Sequence, residues 1–97
     1  MLESELHRLK GELLLMDGNH EASAHCFHDA INLARSQSAK SWELRATGSL
    51  ARLLAKQGCR EEARAMLGEI YNWFTEGFDT ADLKDAKALL DELHEDR

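Results

Sequence analysis

Apolar residues recur at spacings of three and four from the start of the chain. Leu2, Leu6, Leu9, Leu13 and Met16 share one side of a helix running from about Glu3 to Met16. Asp17, Gly18 and Asn19 end that pattern, Gly18 supplying the left-handed conformation that closes a helix and Asn19 an acceptor for the next helix start. A second helix, about His20 to Arg35, sets Ala22, Cys26, Phe27, Ala30, Ile31 and Ala34 on its apolar side. The polar stretch Ser36, Gln37, Ser38 interrupts the periodicity, and Trp42, Leu44, Leu50, Leu53 and Leu54 then define a third helix that Gly58 ends. The fourth spans about Glu61 to Thr75 and turns Ala63, Met66, Leu67, Ile70, Tyr71 and Phe74 inward, with Gly77 as its stop. Asp79 or Thr80 opens a fifth helix whose stripe is Leu83, Ala86, Leu90 and Leu93. Its other face, with Asp82, Lys84, Asp85, Lys87, Asp91 and Glu92, is charged and suits a terminal cap that meets water.

The pattern occurs twice, forty residues apart. GELLLMDGNHEASAHCFHDAINLA (11–34) is answered by ARLLAKQGCREEARAMLGEIYN (51–72). Gly11 matches Ala51, Leu13 and Leu14 match Leu53 and Leu54, Gly18 matches Gly58, Phe27 matches Leu67, and Ala30 matches Ile70. A fixed period in this range is the mark of a stacked helical array. Gly11 and Ala51 hold equivalent places where the two helices of a unit approach closely, and Gly48 and Gly68 are candidates for the same role. The array is capped after its second unit and open before its first, where the leucine stripe begins with no preceding helix to cover it. Either a second copy covers this edge, or the chain is part of a longer protein.

Composition narrows the function classes. A chain of 97 residues is one domain, and the absence of proline with abundant Ala, Leu, Glu, Lys and Arg favours helix nearly throughout. The formal charge of −6 argues against non-specific nucleic-acid binding, which needs a basic surface. No stretch approaches the ~20 apolar residues of a membrane span and no secretion signal opens the chain, so the expectation is a cytoplasmic protein with no membrane partner. Cys26 and Cys59 belong to no ligand-spaced set and read as free thiols.

The paired units resemble tetratricopeptide repeats, with the small residue (Gly11, Ala51), the turn glycine (Gly18, Gly58), the small residue early in the second helix (Ser23, Ala63), the bulky residue one turn on (Phe27, Leu67), then Ala30 and Ile70. They depart from the family in period, about 40 against 34, in lacking a closing proline, and in Ser23 and Ile70 standing where alanine is usual. AKSWELRATGSLARLLAKQG (39–58) and EIYNWFTEGFDTADLKDAKALLDEL (69–93) are similar to the C-terminal tail of bacterial multidomain proteins that join a nucleotide cyclase or DNA-binding domain to an ATPase module. The resemblance implies an all-α, right-handed solenoid in one domain, with repeat 1 at about 3–36, repeat 2 at about 39–76 and a capping helix at about 80–94. It also implies a non-catalytic protein-interaction module, regulatory or scaffolding, needing no cofactor and binding a peptide or protein. The chain contains no phosphate-binding GxxxxGK[ST] loop.

By that resemblance the inner groove exposes Glu5, Arg8, Glu12 and Met16 from the first helix and Arg45, Arg52 and Lys56 from the third. Residues seven and eleven apart return to within about 20° on a helix, so Arg45, Arg52 and Lys56 form one basic stripe suited to a carboxylate. Period 40 also sets Glu5 opposite Arg45 and Glu12 opposite Arg52. Docking of a peptide and internal neutralisation are both open on these residues. An assembly reading stands beside them, in which Leu2, Leu6, Leu9 and Leu13 pair with a second copy.

Other chemistry is thinly supported. His25 and His28, near Glu21 and Asp29, make at most a partial metal site, and the expectation is none. Cys26 follows His25 directly, but consecutive helical residues do not face each other, and no acid, base and nucleophile set emerges. The aromatic group Trp73, Phe74 and Phe78, with Tyr71 nearby, is read as a wedge packed between helix four and the cap in preference to an anchor for a partner, and Trp42 likewise as a packing residue.

Overall fold

Three of the helix junctions are built alike, and they set the architecture. The computed structural model describes residues 3–74 and 81–94, which form α1 (Glu3–Met16), α2 (His20–Ser36), α3 (Lys40–Lys56), α4 (Arg60–Trp73) and α5 (Ala81–His94). No strand occurs among the described residues. The expected Leu2 position, the α4 end at Thr75, the Gly77 stop, Phe78 and the Asp79 or Thr80 start lie outside them. Phe74 is extended (φ −81°, ψ 100°), so α4 closes at Trp73.

Gly18 and Gly58 adopt φ of +84° and +87°, as the turn reading requires. Ser38 does the same at φ 55°, in the middle of the polar stretch that separates α2 from α3. At each junction the residue after the left-handed one donates its N–H five residues back: Asn19 to Leu14 (2.9 Å), Ala39 to Ala34 (2.8 Å) and Cys59 to Leu54 (2.8 Å). The left-handed residue itself donates three back, to Leu15, Arg35 and Ala55 respectively. These are three Schellman closures, each satisfying carbonyls that a helix end leaves open. Only the first is followed by a side-chain cap, Asn19 Oδ1 accepting from Ala22 N at 3.3 Å.

The helices form two layers within extents of 38 × 36 × 18 Å: α1, α3 and α5 in one, α2 and α4 in the other. Helix α3 packs on all four others, whereas the backbones of α1 and α5, and those of α2 and α4, stay apart. Phe27, Ala30 and Ile31 of α2 pack on Ala46, Leu50 and Leu53 of α3. On its other side α3 offers Leu44 and Ala51 to Ala63, Leu67 and Ile70 of α4 and to Leu83, Ala86, Leu89 and Leu93 of α5. Leu89 is buried where Leu90 was expected, and Leu90 is half-buried at the edge of that cluster.

Close approach explains Gly11. A methyl there would lie 2.6 Å from Phe27 Cε1, and Phe27 is wholly buried. The neighbouring hydroxyls tie the same helix pair: Ser23 Oγ donates to the Gly11 carbonyl (2.7 Å) and Ser4 Oγ to the Ala30 carbonyl (2.8 Å). This is the physical reason for serine at position 23, since a buried hydroxyl must find an acceptor. Gly48 and Gly68 have open space where a side chain would start, so close packing does not account for them. Trp73 is a correction to the wedge reading: it is 53% exposed, set edge-on to Phe74 with ring centres 5.1 Å apart. Trp42 is half-buried. Among the described residues no helix is long and apolar enough to cross a membrane.

Candidate functional site

Because α1 and α5 both lie on α3 with their backbones apart, a groove opens between them with α3 as its floor. Its cavity measures about 240 Å³. Arg8 comes from α1; Leu44, Arg45, Gly48, Ser49 and Arg52 from α3; and Asp85, Ala86 and Leu89 from α5. The seven-residue return from Arg45 to Arg52 places both guanidinium groups along the same floor.

The α1 side of the groove is a connected polar network. Arg8 grips Glu5 with two donors, Nη2 to Oε2 at 2.8 Å and Nε to Oε1 at 3.2 Å. Arg45 Nη1 donates to the same Oε2 at 2.9 Å, so the contact at an offset of 40 residues predicted by the repeat is present. Its pair at Glu12 and Arg52 is not. Glu12 instead accepts from Ser49 Oγ (2.8 Å) and lies 3.6 Å from Arg8 Nη1, which also donates to Ser49 Oγ at 3.4 Å. Ser49 is 2% exposed and reaches Glu12 first, satisfying its own hydroxyl in doing so. Arg52 is thereby released, exposed and with no hydrogen bond or ion pair among the described residues. Glu5 is held below the ordinary glutamate range, first by its hydrogen bonds from Arg8 and then by that from Arg45, against an opposing push from burial.

The structure therefore gathers Arg8, Arg45 and Arg52 at the groove, with Glu5 and Glu12 anchoring its α1 wall. Met16 and Lys56 do not line it. Met16 is 81% exposed on the outer side of α1, beside Leu6 (62%), Leu9 (46%) and Leu13 (64%). Lys56 is exposed in the last turn of α3. The sequence reading missed Ser49 and Asp85. Ser49 could have been found, because it sits between Arg45 and Arg52 on the same helical stripe. Asp85 was read as outward-facing, and only the placement of α5 against α3 turns it to the groove.

Elsewhere, His25 Nε2 lies 3.8 Å from Asp29 Oδ2 on the open surface of α2. No cluster of three or more metal-ligating side chains occurs among the described residues. Cys26 is buried, Cys59 is half-buried at the start of α4, and both are free thiols. Compared with protein-family models, with curated proteins and with solved structures, the chain finds no match in any of the three.

Proposed function

We propose that this protein is a non-catalytic interaction module of the tetratricopeptide kind, with α1–α2 and α3–α4 as its two repeats and α5 as the cap. It takes a carboxylate-bearing peptide in the groove over α3, and serves as a regulatory or scaffolding tail in a larger signalling protein. The observation that carries this reading is the convergence of Arg8, Arg45 and Arg52 on one groove of a chain with a formal charge of −6. Arg8 and Arg45 are braced by Glu5, which holds their side chains in place. Arg52 is uncommitted and offers a planar fork to a carboxylate.

The test is a selection of short peptides from a random library on the intact chain, followed by affinity measurement on variants. Arg52→Glu is expected to weaken the selected acidic peptides by tenfold or more, and raised salt to weaken them further. Selected peptides that bind Arg52→Glu and the parent equally would overturn the groove reading.

A second reading, self-association, is favoured by a separate observation. Leu6, Leu9, Leu13 and Met16 form a continuous exposed apolar stripe on α1, at the alternating three and four spacing of a two-helix seam. Each such side chain contributes about 1.5–3 kcal/mol when fully buried. Two copies pairing these stripes reach the association cost of ~4–15 kcal/mol without greatly exceeding it. The expected product is a weak dimer, dissociated by Leu9→Lys. Sedimentation showing a strict monomer at high micromolar concentration would sink it.

A further inference from the structure

Helix α3 has a second cleft on its opposite side, between α2 and α4, and nothing in the groove reading uses it. Its cavity is about 460 Å³, within the ~300–1,000 Å³ of ordinary ligand sites. The body is mixed: Ile31 on one wall, Ile70 on the other and Leu50 beneath are nearly buried, with the polar His28, Asn32 and Thr47 beside them. The head is charged. Glu43, only 4% exposed, holds Arg35 Nε on one carboxylate oxygen (2.8 Å) and Lys40 Nζ on the other (3.3 Å).

We infer that this cleft is a second docking site, for an acidic amphipathic protein segment that sets a carboxylate on Arg35 and an aliphatic side chain between Ile31 and Ile70. Three features select that chemistry. First, a carboxylate as buried as Glu43 persists only when paired on both oxygens, so it fixes two cations at the head of the cleft. The head has two positive groups to one negative. Second, Arg35 is bound through Nε alone, and its two terminal amino groups, on a side chain 59% exposed, have no partner among the described residues. A guanidinium held from behind and open in front is prearranged for a carboxylate. Third, Trp73 stands at the same end, 53% exposed, with Lys40 Nζ 5.1 Å from its ring centre and Phe74 against its edge. Trp73 and Arg35 thus line one cleft, and Trp and Arg are among the residue types that dominate protein–protein binding energy.

Glu69, also in the lining, balances the positive excess of the head over the cleft as a whole, so the selection for a carboxylate rests on the open face of Arg35. The cleft faces away from Arg52, so one chain can engage two segments at once.

The experiment uses the intact chain and a random twelve-residue peptide library, with selected peptides sorted by which variant abolishes their binding. One class is expected to carry Asp or Glu within a turn of Leu, Ile or Phe. That class should lose tenfold or more with Trp73→Ala while binding Arg52→Glu normally. Arg35→Gln alone strands Glu43 and threatens folding, so it is combined with Glu43→Gln, which removes the charge pair as a unit. The double variant should bind the same peptides at least tenfold more weakly while keeping the parent helix content. Selection yielding no such class, or peptides indifferent to both Trp73→Ala and the double variant, overturns the inference. Loss with Arg52→Glu alone would support the α1–α3–α5 groove and count against this one.

Discussion

Helices α1 and α3 occupy equivalent places in the repeated pattern and meet opposite fates. Helix α3 buries nine residues, from Glu43 to Leu53, whereas α1 buries Ser4 and Gly11 and leaves three leucines and a methionine facing outward. Leu53 is fully buried and Leu13, its counterpart, is 64% exposed. The leucine is the same and the helical context nearly so; what differs is whether another helix lies on that side. Helix α3 is flanked by α2 on one side and by α4 and α5 on the other, while α1 rests on α2 and α3 alone. Amphipathic periodicity therefore tells which residues can be core, and the position of the helix in the stack decides which are.

The sharpest way to break this comparison is to shorten both leucines. Leu53→Ala is expected to cost about 2–5 kcal/mol by leaving a cavity, and Leu13→Ala no more than about 0.5 kcal/mol. Urea denaturation of the two variants checks it, and equal losses would mean that the α1 stripe is covered in solution. Next in size is the pair at the close approach. Gly11→Ala forces a methyl against the Phe27 ring and should cost about 1–3 kcal/mol by overpacking. Ala51→Gly, at the matching site, should cost about 1–2 kcal/mol, through helix propensity and the loss of one buried methyl rather than crowding. Thermal unfolding of both would show whether crowding belongs to the first unit alone.

A smaller effect, of opposite sign, is expected at the central junction. Ser38 pays for a left-handed conformation that Gly18 and Gly58 adopt freely, so Ser38→Gly should raise stability by up to about 1 kcal/mol. An unchanged or lower melting temperature would show that the serine side chain compensates. The smallest effect concerns α1 against α3 directly. Glu5 has a lowered folded-state pKa, so its contribution is complete above the ordinary glutamate value of about 4.3 and fades as pH falls through the lowered one. A Glu5→Gln variant should accordingly show a flatter acid limb than the parent in pH-dependent unfolding. Identical limbs would mean that the Arg8 and Arg45 contacts do not persist in solution.

Much of this was legible in the chain. Helix α1 ends where its apolar spacing does, the glycine turns adopt the conformation that their residue type anticipates, and the forty-residue offset predicts the Glu5–Arg45 contact. The α2–α3 junction was harder to place, because a serine in left-handed conformation carries no compositional flag. For Trp73 the preferred wedge gives way to the exposed alternative, since an aromatic near a helix end looks the same in sequence whether it is wedged or exposed. The Arg35–Glu43–Lys40 head went unnoticed for a related reason: Arg35 and Glu43 lie on different helices, and only the Ser38 turn brings their side chains together.

Local rules acting on neighbouring residues determined the five helices, their turns and the apolar face of each. Those rules depend on spacings of three to five residues, which a sequence displays openly. Tertiary structure alone decided that Ser49 takes Glu12 away from Arg52, that Asp85 faces the groove, and that α3 is the helix with a cleft on either side. Each of these is a competition among groups distant in the chain, settled by which partner the packed helices bring within about 3 Å, the range in which a hydrogen bond forms.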